Sequence, residues 1–137
     1  MVERDEIDFT DWVASTFEAM DSREVERFVA QLAPGAELRV GNAEPLMGRV
    51  AIRDALAEFF EHVTDQSHGI TNTWRDGDVI VVEAEATYTR ADAATVSLPS
   101  CTVLEMSEGL VHRTQVYTDL SPLFPDGDAL RMVRSCS

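Results

Sequence analysis

The fold is decided by the stretch Val79-Ile-Val-Val-Glu-Ala-Glu-Ala-Thr-Tyr-Thr-Arg90, in which apolar and polar side chains alternate. Successive side chains of a β-strand point to opposite faces, so this pattern predicts a strand with one dry face and one wet face. A strand of this length must twist or bend. We therefore expect a sheet that curves around helices and leaves an apolar pocket, with a dry wall formed by Val82, Ala84, Ala86 and Tyr88.

Three further strand-like stretches surround this one, and short turns separate them. They span about residues 68–74, 95–106 and 110–119. The turns contain Asp76-Gly77, Ala91-Asp92-Ala93 and Ser107-Glu108-Gly109, which are typical of hairpin connections. The pattern therefore predicts an antiparallel meander of four strands.

Apolar residues at helical spacing precede these strands. Asp21 and Glu24 form the expected capping box at the start of a second helix, and Pro34-Gly35 stops that helix. The fold class is therefore α+β, in the order α-α-β-α-β-β-β-β. The predicted elements before the meander are helices over about residues 9–20, 21–33 and 49–63 and a short strand over residues 36–40.

The composition is that of a folded globular chain. Its 137 residues fit a single domain, with a core over about residues 9–124 and a tail over residues 125–137 that contains one helical turn near residues 129–133. The net charge of -14 repels phosphate backbones and anionic lipids, so neither nucleic acid nor a membrane is an expected partner. The acidic start of the chain lacks the apolar segment of a signal peptide, so we expect a cytoplasmic protein.

The order of these elements combines with three short motifs. They are Glu44-Pro-Leu-Met-Gly-Arg-Val-Ala-Ile-Arg53, Asp76-Gly-Asp78 and Tyr117-Thr-Asp-Leu-Ser-Pro-Leu-Phe124. Over about residues 11–124, the chain resembles the SnoaL-like branch of the nuclear-transport-factor-2-like superfamily. The resemblance implies a cone-shaped α+β barrel, commonly a homodimer, whose pocket lies between the sheet and the helices.

That superfamily includes polyketide cyclases, ketosteroid isomerases, epoxide hydrolases, dehydratases and non-catalytic binding modules, so the fold does not decide the function. The ketosteroid isomerase reaction needs a carboxylate base and an acid pair. The matching positions in this chain hold Arg39 or Val40, Thr16 and Cys101. We therefore do not expect that chemistry here.

Two alternatives exist for Arg90-Ala-Asp92. Its spacing is similar to that of the Arg and Asp of limonene-type epoxide hydrolases. By alternation, both side chains would also point to the same apolar face of the strand as Tyr88. However, the third member of that set falls near Val116. The other interpretation is an ordinary ion pair within a hairpin turn.

Asp119 resembles the Asp on the final strand that acts as acid or base in SnoaL-like cyclases. Apolar neighbours at a pocket mouth would raise the pKa of such a carboxyl group and make it a useful base. The companion His of that family falls near Leu104. The alternative is that Asp119 caps the last strand and accepts a hydrogen bond from the turn at Leu120-Ser121.

Histidines are the other candidates for proton transfer. His68, followed by Trp74, is similar to a His of the scytalone dehydratase type, and the alternative is a lone His satisfied by backbone groups. His112 shares strand parity with Thr114 and would face the pocket, or it lies at the surface or in a dimer contact. The three histidines lie on different elements without metal-ligand spacing, so we expect no metal site.

These observations lead to two hypotheses of different classes. The first is a homodimer that binds a small hydrophobic oxygenated molecule and catalyses a cofactor-free cyclisation or isomerisation, with Asp119 as proton acceptor assisted by His68 or His112. The second is a non-catalytic ligand-binding or dimerisation module. In both, core packing is the alternative role for the expected pocket residues Trp12, Phe17, Phe59, Trp74, Tyr88, Cys101, Thr114 and Val116.

Overall fold

The computed structural model describes the backbone of residues 2–123 and the side chains from Phe9 onward. Helix α1 spans Val2–Asp21, α2 spans Val25–Val29 and α3 spans Arg49–His62. Each helix packs its apolar side against the sheet, as the 3.6-residue spacing predicts. The predicted helical turn near residues 129–133 lies outside the described residues.

Two strands begin earlier in the chain than the sequence pattern indicated. Strand β3 begins directly after α3, not at His68, and β1 begins before Pro34. The last strand ends at Tyr117, and a single 3-10 turn, Ser121–Leu123, follows it. The strands are β1 (Leu32–Val40), β2 (Leu46–Met47), β3 (Val63–Asp76), β4 (Val79–Arg90), β5 (Thr95–Ser107) and β6 (Leu110–Tyr117).

The second helix differs most from the prediction. It is a short helix of 5 residues, and its N-cap, Glu24, makes no capping hydrogen bond through its side chain. Asp21 ends α1 instead of starting α2, because its carboxylate accepts hydrogen bonds from β3. Pro34 and Gly35 lie within β1, where the pairing with β6 shifts register between Leu32 and Glu37. That irregularity accommodates a residue without an N–H inside a paired strand.

The sheet order is β2-β1-β6-β5-β4-β3. The meander from β3 to β6 is antiparallel throughout, as predicted. Strand β1, however, pairs in parallel with β6, which makes the sheet mixed and brings the first strand beside the last. The six strands form a curved, unclosed sheet with the helices on its concave side, which is consistent with the predicted cone-shaped α+β fold.

Two clusters of buried side chains fill the concave side. The larger one joins all three helices to β1, β4, β5 and β6, and Ile52 and Val82 are fully buried in it. The smaller one contains Val63, Tyr88 and Leu123. Phe59 of α3 packs against both clusters and so connects them.

Candidate functional site

A cavity of about 100 Å³ opens between the helices and the sheet. This volume exceeds that of a single water and is smaller than the roughly 300–1,000 Å³ of sites for drug-sized ligands. Its apolar wall comprises Phe17, Met20, Phe28, Leu38, Val40, Leu56, Phe59, Leu104, Val116 and Leu120. Its polar wall comprises Thr16, Gln66, His68, Tyr88, Thr102, Thr114 and Thr118.

Asp21 and His68 form a hydrogen-bonded pair at this wall. The ring nitrogen Nδ1 of His68 lies 2.6 Å from Oδ1 of Asp21, and the backbone N–H of His68 donates to Oδ2 at 2.9 Å. Both side chains are largely buried, at 10% and 23% exposure for His68 and Asp21. Nε2 of Gln66 donates to the same Oδ1 at 3.2 Å, so three hydrogen bonds to one carboxylate join the end of α1 to β3.

This pairing decides which nitrogen of His68 carries the proton. An ionised carboxylate can only accept hydrogen bonds, so Nδ1 donates to Asp21. In the neutral imidazole, Nε2 then keeps its lone pair. Phe17 and Tyr88 contact the ring edge-on, with centroids 5.1 and 6.5 Å from that of His68, and hold it in the cavity wall.

Tyr88 contributes a buried hydroxyl to the same cavity. Burial and, to a smaller extent, the negative charge of Asp21 raise the pKa of Tyr88 to about 12. The hydroxyl therefore stays protonated at neutral pH and can donate a hydrogen bond. Its ring packs edge-on against Phe59, with the two ring centroids 6.0 Å apart.

Several polar atoms of the cavity wall have no partner among residues 2–123. They are Oγ1 of Thr16, Oε1 of Gln66 and Oγ1 of Thr114, all buried. A buried polar atom without a hydrogen bond costs about 1–3 kcal/mol. The three atoms come from α1, β3 and β6, so the cavity wall carries unsatisfied hydrogen-bonding capacity on three sides.

The described wall of the cavity has a negative charge close by and no permanent positive charge. No arginine is among its described lining residues, the chain contains no lysine, and Asp21 lies directly behind His68. Within the described residues, no group of three or more His, Cys, Asp or Glu side chains could hold a metal ion. The arrangement therefore suits an uncharged molecule with polar atoms at its edge and an apolar body.

The model of the SnoaL-like domain family matches residues 13–114. The chain belongs to the SnoaL-like domain family. The predicted resemblance is thereby confirmed at the level of the family and of the nuclear-transport-factor-2-like superfamily. No curated protein sequence matches the chain.

Solved structures share the fold at low identity. An NTF2-like protein of unknown function from Burkholderia pseudomallei has a TM-score of 0.74 at 16% identity, over 90% of this chain and 95% of its own. SalBIII, an epoxide hydrolase/cyclase-like enzyme in pyran ring formation in the polyether salinomycin, has a TM-score of 0.74 at 18% identity, over 85% of this chain and 95% of its own. TerC, co-crystallized with polyporic acid, has a TM-score of 0.74 at 16% identity, over 85% of this chain and 95% of its own. These identities show the fold alone.

Six of the predicted site residues meet at the cavity of this SnoaL-like domain. They come from α1, α3, β3, β4 and β6, and the cavity is where the curved sheet brings these elements together. The six residues are Phe17, Phe59, His68, Tyr88, Thr114 and Val116.

The other five predicted site residues do not line the cavity, and two of them are displaced by β-bulges. A bulge in β3 between Ile70 and Asn72 turns Trp74 to the outer face, where it is 51% exposed. A register shift opposite Glu105 and Met106 leaves His112 exposed, because β6 carries one unpaired residue there. Each extra residue inverts the parity of the strand beyond it.

Cys101 and Trp12 miss the cavity for simpler reasons. Thr102 and Leu104 of β5 face the cavity. Because side chains alternate along a strand, Cys101 faces the outer side of the sheet, where it is paired with Tyr117. Trp12 packs against the rim of the larger apolar cluster.

Asp119 is exposed and is not among the residues that line the cavity, although Thr118 and Leu120 are. Its Oδ1 accepts the backbone N–H of Ser121 at 3.0 Å, and this bond lowers the pKa of Asp119 from its usual value. The expectation of a raised pKa is therefore wrong, because water and a turn N–H surround the carboxylate where apolar side chains were expected. The alternative interpretation of a turn-capping Asp describes its geometry.

Arg90 and Asp92 form the turn ion pair that was the alternative to an epoxide hydrolase set. Their side chains meet at 2.9 Å, and Asp92 also accepts the backbone N–H of Ala94 within the hairpin turn. Neither lines the cavity.

Sequence reasoning missed Asp21 and Gln66. Asp21 was interpreted as a helix cap, and Gln66 lies in the part of β3 that precedes the predicted strand. The available signal was the alternation of Gln66 with His68, which would have extended the strand toward α3. The contact of both with Asp21 spans more than 40 residues of sequence and has no local signature.

Proposed function

We propose that this SnoaL-like protein binds a small, hydrophobic, oxygenated molecule in the cavity and performs a cofactor-free acid/base reaction on it, such as a cyclisation or isomerisation. The observation that carries the proposal is the Asp21–His68 pair, which presents one imidazole nitrogen to the cavity while holding the other. Imidazole is the side chain best suited to proton transfer near neutral pH.

The cavity supports a ligand with an apolar body and few polar atoms. Of the seventeen described residues that line it, ten are apolar, and its hydroxyl and amide groups come from α1, β3, β4, β5, β6 and the segment that follows β6. Two proteins of this fold are linked to oxygenated compounds, since TerC was co-crystallized with polyporic acid and SalBIII has a role in pyran ring formation. The volume of about 100 Å³ favours a small ring or a short chain.

The proposed step uses two residues of the wall. Nε2 of His68 takes a proton from a C–H next to a carbonyl, and the electron pair of that bond moves through the new C=C bond onto the carbonyl oxygen. The hydroxyl of Tyr88 donates a hydrogen bond to that oxygen as its negative charge develops. Asp21 stabilises the imidazolium that forms. The imidazolium then returns the proton either to a different carbon, which gives the isomer, or to the original carbon, which regenerates the substrate.

In this proposal His68 replaces Asp119 as the proton acceptor. The carboxylate of Asp119 is engaged with Ser121 and its lowered pKa makes it a weak base. His112 has no part in the step because it is exposed on β6.

The reaction is tested by exchange of the α-hydrogens of cyclopentanone in D₂O, followed by ¹H NMR. The wild-type protein should accelerate exchange over buffer. His68→Ala should reduce the protein-catalysed rate about 100-fold or more, which is the usual contribution of a positioned general base. Asp119→Asn and His112→Ala are the matched controls and should keep the wild-type rate.

The second candidate function is a non-catalytic binding module. It is favoured by the absence of the isomerase and epoxide hydrolase residue sets from the cavity-lining residues that the structure describes. The same experiment separates the two. If cyclopentanone shows saturable binding by ligand-observed NMR and the wild type exchanges no faster than His68→Ala, the module stands and the catalytic proposal is wrong.

The proposal includes a homodimer formed through the outer face of the sheet. Trp74, Val81 and Val103 are cross-strand neighbours on that face, and Cys101 and Tyr117 form the adjoining pair. We call these five residues the apolar stripe. Trp74 and Tyr117 are 51% and 58% exposed, and exposed aromatic residues are enriched at interfaces. The cytoplasmic location, the single-domain extent and the lack of a cofactor stay predictions.

No helix within the described residues is both long and apolar enough to cross a membrane.

A further inference from the structure

Gln66 and His68 each bring a hydrogen-bond acceptor to the same wall of the cavity. They lie two residues apart on β3, and their partners on β4 are Tyr88 and Ala86, both inward-facing. Gln66 and His68 both line the cavity. Their side chains approach the same atom, Oδ1 of Asp21, at 3.2 and 2.6 Å.

Asp21 decides the direction of both side chains. Because a carboxylate only accepts, it must receive an N–H from each of them. Gln66 therefore keeps Nε2 on Asp21 and turns its carbonyl oxygen Oε1 away. His68 keeps its proton on Nδ1, and the neutral imidazole leaves a lone pair on Nε2. The assignment of the Gln66 amide follows from the carboxylate and not from a choice between equivalent orientations.

The carbonyl oxygen of Gln66 lacks a hydrogen bond within the described chain, and the residue is only 5% exposed. A buried acceptor with no partner is destabilising until a donor reaches it. The same wall holds no arginine among its described residues, so it offers nothing to neutralise an anionic ligand. An anion would also meet two acceptors and the charge of Asp21 behind them.

We propose that the ligand is an uncharged molecule that carries two neighbouring hydroxyls beside the carbonyl group of the proposed reaction, and that in the resting complex it donates one hydroxyl to Oε1 of Gln66 and the other to Nε2 of His68. This inference rests on the proposed binding site and names the class of molecule that it takes. Gln66 is then the residue that determines specificity, because it sets the demand for a second donor. The apolar lining contacts the hydrocarbon side of the same molecule.

The size of the preference follows from one hydrogen bond. A ligand with a single hydroxyl leaves one acceptor buried and unpaired. Such a deficit weakens binding by about tenfold. A ketone of the same ring size has no donor and leaves both acceptors unpaired.

The test compares three probes of equal ring size, cis-1,2-cyclopentanediol, cyclopentanol and cyclopentanone, titrated at pH 8 and followed by protein-observed NMR. The diol should bind about tenfold more tightly than cyclopentanol and more tightly still than the ketone. In the wild type, the side-chain amide resonances of Gln66 should shift with the diol and much less with the ketone.

Gln66→Met removes the amide and keeps the length of the side chain, so it should abolish the preference for the diol over cyclopentanol. Gln115→Met is the matched control, since Gln115 is equally buried but does not line the cavity. It should retain the tenfold preference. If Gln66→Met does not fold, the wild-type amide shifts alone carry the test.

Equal affinities of the diol and cyclopentanol for the wild type would overturn this inference and leave the proposed function intact. An unchanged preference in Gln66→Met would equally overturn it. If none of the three probes shifts the resonances of Thr114 or Val116 in the cavity wall, both this inference and the proposed binding site are wrong.

Discussion

Tyr88 holds its proton in the cavity wall through the burial of its ring and the charge of Asp21. These two causes raise its pKa to about 12 from the ordinary tyrosine value of 10.0. Because the folded protein binds this proton more tightly than the unfolded chain, the stability that it contributes is fully present below about pH 10. That stability is lost as the pH rises through 12, by up to about 3 kcal/mol.

The titration of Tyr88 can be measured directly, since the chain contains only one other tyrosine, Tyr117. In a Tyr117→Phe variant, phenolate absorbance near 295 nm should rise with a single midpoint near pH 12. Tyr88→Phe serves as the control and should remove the steep loss of stability above pH 10. A midpoint near the ordinary tyrosine value would show that Tyr88 is not buried beside Asp21.

At the scale of the element, the join between β1 and β6 depends on a glycine. Gly41 follows β1 with a φ of 57°, a conformation that side chains with a Cβ rarely adopt, and its N–H donates to the carbonyl of Val116. A Cβ at this position would lie 2.9 Å from the backbone oxygen of Thr118. Both effects oppose any larger residue.

Gly41→Ala should therefore lower the free energy of unfolding by about 1–3 kcal/mol, measured by urea denaturation. Gly35→Ala, within β1, is the matched control, because a Cβ there meets nothing within 4 Å. It should be neutral or slightly stabilising, since it restricts the unfolded chain. Equal losses for the two variants would contradict the strain at Gly41.

At the scale of the whole molecule, the curved sheet separates two surfaces with different roles. Its concave side carries the cavity, and its outer face carries the apolar stripe. Glu83 and Glu85 lie on the outer face of β4. Arg113 and Glu105 form an ion pair, with their side chains 2.7 Å apart, at the border of the same face. An apolar centre with a polar rim is the usual composition of a protein interface.

Replacement of Val103 by Arg should convert the proposed homodimer to a monomer, because it puts a charge at the centre of the apolar stripe. The mass in solution is measured by sedimentation or light scattering across a concentration series. Ser107→Arg, with the same charge change at the exposed end of β5, should leave the dimer unchanged. A wild type that is monomeric at every concentration would refute the interface.

The sequence by itself determined the fold class and much of the cavity. Period-two alternation over Val79–Arg90 predicted β4 and its dry face, and the structure buries Val82, Ala84, Ala86 and Tyr88 there. Helical spacing predicted α1 and α3, and Phe17 and Phe59 line the cavity as expected. These successes share a cause, since the burial of a face is written in residues that are close in the chain.

Only the tertiary structure decided which polar groups meet. Asp21 and His68 belong to different elements and are paired by packing of α1 against β3, which no local pattern records. The parity of His112 and Trp74 also depended on bulges, because one extra residue reverses every side chain beyond it. The chemistry of the site therefore comes from long-range contacts and small breaks in register, while the alternation that opened the sequence determined only the wall on which that chemistry stands.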